Sequence, residues 1–518
     1  MRVLLINPFY PMTEMPSPPL GLAYVAGAFC KAGAEVKVLD LVVEAYSREI
    51  MTDLLDTFQP DLVGLTAVTM NYNGACDLLK VIKELQPDLL TVMGGPHVTF
   101  NAREELLTHP ELDMVVTGEG EATIAELTRA LDSGSKLNDV AGLVYREGSE
   151  IRFNKPRPTG LDLSQAPMPA RHLLPMRRYK ALGLAVSMIT SRGCPFQCIF
   201  CVGRKMSGAK VRYRDPISVV DEMEQLASLG ISQINIADDL FTAKKKHCHA
   251  ICDEIIRRGL KVPWTAFSRA NTINAELLGH LKQAGCIHLS FGFESANDDI
   301  LETVQKRITP DQMINAARLC TEAGITSQAS FISGLPGETL ETMEQTSAFA
   351  QQIDRLGMAV GFHILAPFPG TLVRDEADKL GLRILSNDWS RYTANEAIIE
   401  TDGANAELLE RDSNGMQALL DEQLAATTLR IEDGTATDEE KSGMRRLHKM
   451  NVFYQKMMAD TLKHVSESDE PDVDHLMDVL DEQSPLDSQL LREFLDEGLE
   501  DGSILHTHEL SGENWAWG

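Results

Sequence analysis

The sequence predicts an α/β protein with two parallel-sheet units in series and an acidic helical region behind them. Three observations carry that prediction. Short Val/Ile/Leu runs alternate with helical periods through residues 1–150 and again through 181–400. Such continuous apolar runs suit strands buried on both faces, with the helices as crossovers. Past Asp402 the pattern turns helical, and residues 401–518 carry 28 acidic against 9 basic side chains.

In the first unit the expected strands are Arg2–Asn7, Glu35–Leu41, Leu62–Val68, Leu89–Met93 and Met114–Val116, with helices such as Ala23–Ala32 and Gly74–Leu85. This reads as a doubly wound, Rossmann-like sheet, which takes ligands at the carboxyl ends of its strands. Those ends carry Asn7-Pro8, Thr66 to Thr69, Gly94-Gly95-Pro96-His97 and Gly118-Glu119-Gly120-Glu121. Glycine there lets backbone approach a ligand. No GxGxxG occurs among these glycines, so a nicotinamide cofactor is not indicated. Asp139 to Asn154 reads as a hairpin turning at Glu147-Gly148, and residues 151–180 read as an extended Pro-rich, basic linker.

The second unit predicts strands at Leu184–Thr190, Gln233–Ala237, Trp264–Ser268, His288–Gly292, Thr326–Ile332 and Ala359–Leu365. Helices such as Ile217–Leu229 and Ile273–Ala284 lie between them. Six βα units are too few for a closed eight-stranded barrel, so an open (βα)6 partial barrel is expected.

Composition bounds the function. With 518 residues, 43% apolar and 24% charged, the chain is ordinary globular material. A net charge of −28 argues against a phosphate-backbone binder, so no nucleic acid partner is expected. The longest apolar run, Leu20 to Cys30, spans 11 residues, well short of a membrane span. The start MRVLLINPFYP has no signal-peptide pattern, so a cytoplasmic protein is expected. Nine cysteines, three of them clustered, then favour metal or redox chemistry over disulfides.

The cluster is Cys194-Pro195-Phe196-Gln197-Cys198-Ile199-Phe200-Cys201, directly after the first strand of the second unit. Thiolates are soft ligands for iron–sulfur clusters and zinc. Three cysteines in eight residues can wrap one corner of a [4Fe–4S] cube, and the missing fourth leaves one iron open. Zinc, the rival, needs a fourth ligand, and no close CxxC or HxxxH follows.

From Ala185 to Gly370 the chain resembles the radical SAM superfamily. The resemblance implies that Cys194, Cys198 and Cys201 hold a [4Fe–4S] cluster whose open iron binds S-adenosylmethionine, which is cleaved to a 5′-deoxyadenosyl radical. It places Phe200 near the adenine, Ala237, Asp238 and Asp239 at the methionine amine, and Arg269 at the carboxylate. Glu294 and Ser295 suit the ribose or methionine moiety, and Ile332 and Gly334, in Phe331-Ile332-Ser333-Gly334-Leu335-Pro336-Gly337-Glu338, lie beside the adenine. Each has a plainer alternative: a helix cap for the two aspartates, ion pairs for Arg269 and Glu294, and a simple turn for the glycines. An electron donor such as flavodoxin or ferredoxin is also implied.

With the first unit included, the match narrows to the cobalamin-binding radical SAM enzymes. Pro16-Ser17-Pro18-Pro19-Leu20-Gly21-Leu22, Gly94-Gly95-Pro96-His97, and the linker from Pro156-Arg157 to Pro169-Ala170-Arg171 carry that likeness. The contacts it implies are Pro19, Leu20, Gly21, Thr66, Thr69, Gly94, Gly95, His97, Gly118 and Glu119. The DxHxxG loop of other corrinoid proteins is absent. Cobalamin is therefore expected base-off, with its tail in the first unit and His97 a structural or peripheral contact. The activity implied is methyl transfer to an unactivated centre of a small molecule or lipid. A ring cyclase or rearrangement enzyme with the same cofactors is the alternative, and a corrinoid or redox sensor is the non-catalytic one.

Other features read more plainly. Cys30, Cys76, Cys286 and Cys320 read as small core residues, and Lys244 to Cys252 as a solvated helix start. Trp389 and Tyr392 are candidates to cap a substrate pocket, and Trp515 and Trp517 have no assigned role beyond docking or disorder.

Overall fold

The computed structural model describes residues 1–11, 16–158, 160–468, 472–481, 486, 488–509 and 512–517. The first unit is a seven-stranded sheet of order β2-β1-β3-β4-β5-β6-β7. Strands β1 (Arg2–Asn7), β2 (Glu35–Asp40), β3 (Leu62–Thr66), β4 (Leu90–Gly94) and β5 (Met114–Val116) run parallel. The predicted hairpin, β6 (Leu143–Glu147) and β7 (Glu150–Phe153), adds antiparallel to the β5 edge. Helices α1 (Leu20–Lys31) and α5 (Gly120–Ser133) pack on one face through Leu22, Phe29 and Leu127. Helices α2 (Arg48–Phe58), α3 (Tyr72–Leu85) and α4 (Pro96–Thr108) cover the other through Met51, Leu79 and Val98. The apolar strands are thus buried on both sides, as their sequence requires.

The linker is not extended throughout. Its last turn forms α6 (Met176–Ala181), because Tyr179 is buried there and donates its hydroxyl to Asp40 Oδ2 at 2.7 Å. Upstream, Ala170 N donates to Ala23 O at 2.9 Å, and the linker lies against α1.

The second unit is a six-stranded parallel sheet of order β15-β14-β13-β12-β11-β8, open between its edges as the six βα units predict. Its strands are β8 (Val186–Met188), β11 (Ile234–Ile236), β12 (Trp264–Ser268), β13 (Cys286–Glu294), β14 (Thr326–Ser333) and β15 (Ala359–Ile364). A two-residue ladder, β9 (Ser191–Arg192) and β10 (Arg212–Tyr213), flanks the cysteine loop and the short α7 (Gly203–Ser207). Outer helices α8 (Pro216–Ser228), α9 (Lys245–Arg258), α10 (Ala275–Gln283), α11 (Asp298–Thr303), α12 (Pro310–Glu322) and α13 (Leu340–Arg355) complete it. Lys245 and Lys246 are exposed as expected, but Cys248 and Cys252 pack into the core between sheet and helices. Cys76, Cys286 and Cys320 are buried, whereas Cys30 is exposed because α1 turns it away from its apolar face.

After α14 (Leu372–Asp375) and the hairpin β16 (Leu382–Ile384) and β17 (Ile399–Thr401) comes the acidic region. It holds α15 (Ala406–Glu432), α16 (Asp438–Met458), α17 (Thr461–Ser466), α18 (Val473–Asp481) and α19 (Ser488–Glu500). The chain then forms a hairpin, β18 (Ile504–Glu509) and β19 (Gly512–Trp517), which the helical reading did not foresee. Trp515 is buried there, stacked on His506 at 3.9 Å. The region is docked, not detached: Phe453, Leu462 and Phe494 share one core with Tyr179 of the linker, Leu182 just after it and Val42 of the first unit. Among the described residues no helix is long and apolar enough to cross a membrane.

Gly27 shows how tightly the linker is held. A Cβ on it would lie 2.3 Å from Met168 O, a backbone atom that cannot swing aside. Alanine gains about 1 kcal/mol of helix propensity over glycine. Gly27→Ala is nonetheless expected to lower stability, read as a reduced urea midpoint. A raised midpoint would mean the linker does not press on α1.

Candidate active site between the two sheets

The cysteine loop is pinned from below by two aspartates that follow β11. Asp238 is fully committed, accepting from Thr190 N and Oγ1 at 2.6 Å, Ser191 N at 3.0 Å and Ser191 Oγ at 2.6 Å. Its predicted ligand contact is therefore corrected to support of the strand that feeds the loop. Asp239 Oδ2 accepts from Gly193 N at 2.9 Å. Gly193 has φ +107°, and a Cβ on it would meet Lys210 O at 2.8 Å, so only glycine makes this turn. Further on, Ile199 N donates to Val304 O at 3.2 Å, and Leu372 N to Ile199 O at 3.0 Å. Among the described residues no three Cys, His, Asp or Glu are grouped as ligands of one ion. A cube gives each thiolate its own iron, so the loop fits a cluster. Burial pushes the Cys194 thiol up, so cluster assembly has to displace a proton there.

Arg269 follows β12 and is buried, with Nε and Nη2 lacking any hydrogen-bond partner among the described residues. Its guanidinium lies 3.7 Å over the ring of Phe196 in the cysteine loop. Burial pulls its pKa below the ordinary range, and the nearby Cys198 thiol opposes that. A buried cation with free donors calls for an anion, and the carboxylate of S-adenosylmethionine matches it. Among the described residues Arg269 forms no ion pair, the alternative expected for it.

Glu294, at φ +69°, takes the buried ion pair instead, with Lys306 at 2.6 Å. Lys306 Nζ sits 5.9 Å over Phe200, so this pair flanks the cluster loop. Ser295 contacts Thr346 at 3.2 Å and accepts from Asn297 N at 3.2 Å. It is corrected from ligand contact to a fastening between α11 and α13. Ile332 and Phe200 are partly buried around one apolar cluster. Gly334, φ +91°, donates its N–H to Glu338 Oε2 at 2.6 Å, and Leu335 N does so at 3.0 Å. Burial pushes Glu338 up to about 7 despite these bonds.

A cavity of about 760 Å³ separates the two sheets. On one side it is lined by Pro19, Leu20, Gly21, Thr66, Gly94, Gly95, Gly118 and Glu119, and on the other by Ser191, Ala237 and Asp239. It also runs down beside Leu5, Phe29, Gly64 and Val92 into the first sheet. The strands beside it pack too closely for side chains at two glycines: a Cβ on Gly64 would meet Leu5 Cδ2 at 2.7 Å, and one on Gly95, φ +121°, would meet Ala67 O at 2.4 Å. A largely apolar cavity with this glycine rim fits a large cofactor such as cobalamin.

Two predicted contacts stay outside it. His97 and Thr69 bond to each other, at 3.2 Å, and neither lines the cavity. Pro96 starts α4, which turns His97 under the rim, stacked on Tyr72 at 4.1 Å and met edge-on by Trp389 at 4.7 Å. Burial, with Arg374 nearby, pushes His97 down to about 4, so it is neutral. Trp389 is thus a domain contact, and Tyr392 is fully buried, its hydroxyl donating to Ser386 O at 2.8 Å. Neither is available as a pocket cap.

The sequence reading missed an ion network across the cavity mouth. Arg192 reaches Glu121 at 2.6 Å and Glu119 at 3.2 Å, and Arg212 reaches Glu119 at 2.9 Å. All four side chains are largely buried. The two arginines outweigh burial and hold Glu119 below the usual carboxylate range. Opposite charges in Ser191-Arg192-Gly193 and Gly118-Glu119-Gly120-Glu121 were the available signal.

An open parallel barrel with a three-thiolate loop, joined to a glycine-rimmed Rossmann-like sheet, defines an iron–sulfur radical enzyme with a corrinoid domain. Comparison with known proteins agrees. Residues 188–350 match the radical SAM superfamily and residues 13–128 the B12 binding domain. An uncharacterized methyltransferase of Pyrococcus horikoshii is 37% identical over 77% of this chain and 88% of its own. The anaerobic magnesium-protoporphyrin IX monomethyl ester cyclase of Rubrivivax gelatinosus is 33% identical over 79% of this chain and 76% of its own. The solved structure of OxsB, a cobalamin-dependent S-adenosylmethionine radical enzyme, superposes with TM-score 0.69 at 20% identity, covering 97% of this chain and 81% of OxsB. The chain belongs to the cobalamin-binding radical SAM family. It is a radical SAM enzyme of the cobalamin-dependent methyltransferase kind, and its cofactors are a [4Fe–4S] cluster, S-adenosylmethionine and cobalamin.

Arg269→Gln should weaken equilibrium binding of S-adenosylmethionine by roughly tenfold or more while iron content stays unchanged, because a charge-assisted pair is lost. Unchanged affinity would remove Arg269 from the carboxylate. Glu338 makes a separate, pH-resolved prediction. Its raised folded pKa favours the protonated form, so its contribution is complete below 4.5 and is lost as pH rises towards about 7. The decline in denaturant midpoint across that window should be smaller in Glu338→Gln, and identical declines would contradict the assignment.

Proposed function

We propose that the chain methylates an unactivated centre of a small-molecule or lipid substrate in the cavity between its two units. The observation that carries this reading is the cavity itself, which borders the glycine rim of the first sheet and, through Ala237 and Asp239, the base of the cysteine loop. When bound, the three cofactors together supply reductive cleavage of S-adenosylmethionine, hydrogen abstraction and methyl transfer.

The chain's own residues bind, orient and exclude. Cys194, Cys198 and Cys201 hold the cluster by three thiolates and leave one iron free for S-adenosylmethionine. Arg269 orients the methionine carboxylate, with Phe196 stacked beneath its guanidinium. Gly64 and Gly95 let the strands that floor the cavity pack closely against Leu5 and Ala67. The Arg192–Glu121 and Arg212–Glu119 pairs fix the separation of the two sites, which is the positioning a multi-centre reaction needs. The enzyme works in the cytoplasm and draws single electrons from a flavodoxin or ferredoxin.

A second reading, ring cyclisation without net methyl transfer, is favoured by the likeness to the Rubrivivax gelatinosus cyclase. Methyl-labelled S-adenosylmethionine separates the two, since only a methyltransferase delivers label to product. Arg269, whose buried Nε and Nη2 have no hydrogen-bond partner among the described residues, supports binding of S-adenosylmethionine.

Cys198→Ala, reconstituted anaerobically with iron, sulfide, cobalamin and reductant, should yield no 5′-deoxyadenosine yet bind cobalamin as the wild type does. Equal yield from variant and wild type would sink the cluster assignment.

A further inference from the structure

The inner face of the open barrel carries side chains that the cofactor assignments leave unused. Val186, Ile236, Ala266, Phe291 and Phe331 pack outward into the core shared with the helices, so the residues alternating with them face inward. Strand register sorts these into levels. The lowest is Asn235, Thr265, His288 and Thr326. It is spent on itself: Thr265 Oγ1 donates to Asn235 Oδ1 at 2.8 Å, Gln233 Nε2 to the same oxygen at 3.0 Å, and His288 Nδ1 meets Thr326 Oγ1 at 3.1 Å. The highest level is charged. Arg269 follows β12, and a Cβ on Gly292 would strike Glu294 Oε1 and lie 2.9 Å from Lys306 Nζ, so that ion pair lies across Gly292.

Between these two levels Phe267, Ser290 and Gln328 pair across β12, β13 and β14. Phe267 is 55% exposed, although its neighbours Ala266 and Ser268 are buried. Ser290 and Gln328 make no side-chain hydrogen bond among the described residues. A Cβ on Gly361 would lie 3.1 Å from Gln328 Nε2, so the bare glycine of β15 leaves room for the amide. Ala237, one step beyond the Ile236–Ala266 pair, comes level with Phe267 and lines the interdomain cavity, which therefore opens onto this level.

An exposed ring beside unpaired polar groups is a recognition surface rather than a packed wall. None of Phe267, Ser290 and Gln328 is charged, so an ionised group brought there pays its desolvation without a counter-charge. We propose that this level recognises the substrate and selects an uncharged flat group, its face on Phe267 and a hydrogen-bonding edge on Ser290 and Gln328. An aromatic amide has that chemistry, whereas an alkyl chain leaves both polar side chains unmet. The inference rests on the methyltransferase reading above and narrows its substrate from small molecule or lipid to a molecule bearing a neutral polar ring.

The test uses holoenzyme loaded with cluster, cobalamin and saturating S-adenosylmethionine, with benzamide as the probe. In equilibrium dialysis labelled benzamide should bind about tenfold more tightly than benzoate, and 1-decanol should not displace it. Phe267→Ala and Gln328→Leu should each weaken benzamide by about fivefold, the worth of one ring contact or one hydrogen bond, with S-adenosylmethionine affinity unchanged. Phe267→Leu, which loses the flat face and keeps the bulk, shows the same direction if Phe267→Ala folds poorly. No binding of benzamide to the wild type, unchanged affinity in both variants, tighter benzoate, or displacement by 1-decanol overturns the proposal. A fall in S-adenosylmethionine affinity in these variants also overturns it, because the level then belongs to the cofactor. Absence of 5′-deoxyadenosine from the wild type with dithionite sinks the enzymatic reading instead, and the dialysis still judges the level.

Discussion

Arg192 and Arg212 reach across from the strands beside the cysteine loop to Glu119 and Glu121 at the rim of the first sheet. Most of the site depends on that grip. The radical SAM and B12-binding units each match their own family, and the joint chemistry proposed for them requires a fixed distance between them. Burial raises the stakes, because leaving one such charge without its partner costs about 3–5 kcal/mol. The arrangement is therefore close to all-or-none, which is what a positioning device needs. Tyr24 adds to it, with the Arg192 guanidinium 4.9 Å over its ring, from the helix that also carries the glycine-rimmed entrance.

A second contact holds the far side of the two units together. Tyr72 stacks on His97, Trp389 meets His97 edge-on, and Arg374 lies 4.4 Å over Trp389. A Cβ on Gly370 would collide with Phe100 at 2.3 Å, so the loop after β15 lies flat on α4. Cavity depth is thus set from both ends, by ions at the mouth and by rings behind.

Much of this was legible in the sequence, for a physical reason. Strand period, strand-end glycines and cysteine spacing are local, and they gave the two sheets, the cluster loop and the glycine rim. What failed was long-range pairing. His97 sits in a strand-end motif, yet the helix begun by Pro96 carries it under the rim to Tyr72. Asp238 and Asp239 are adjacent, but only the structure shows the first spent wholly on Thr190 and Ser191 and the second on Gly193. Trp515 stands near the chain end, where no local pattern reveals that Ser466 Oγ accepts from its N–H at 2.7 Å and that it packs into the core. The acidic surplus, notable at first sight, turned out to lie on a region docked to the linker rather than at the cofactors.

The proposed methylation requires cluster and cobalamin to lie close together, on either side of the cavity between the two sheets. Electron paramagnetic resonance of protein holding the reduced cluster and paramagnetic cobalt together tests it most directly. The account predicts mutual broadening of the two signals beyond that of samples holding either centre alone. Two unperturbed, simply additive signals would contradict it.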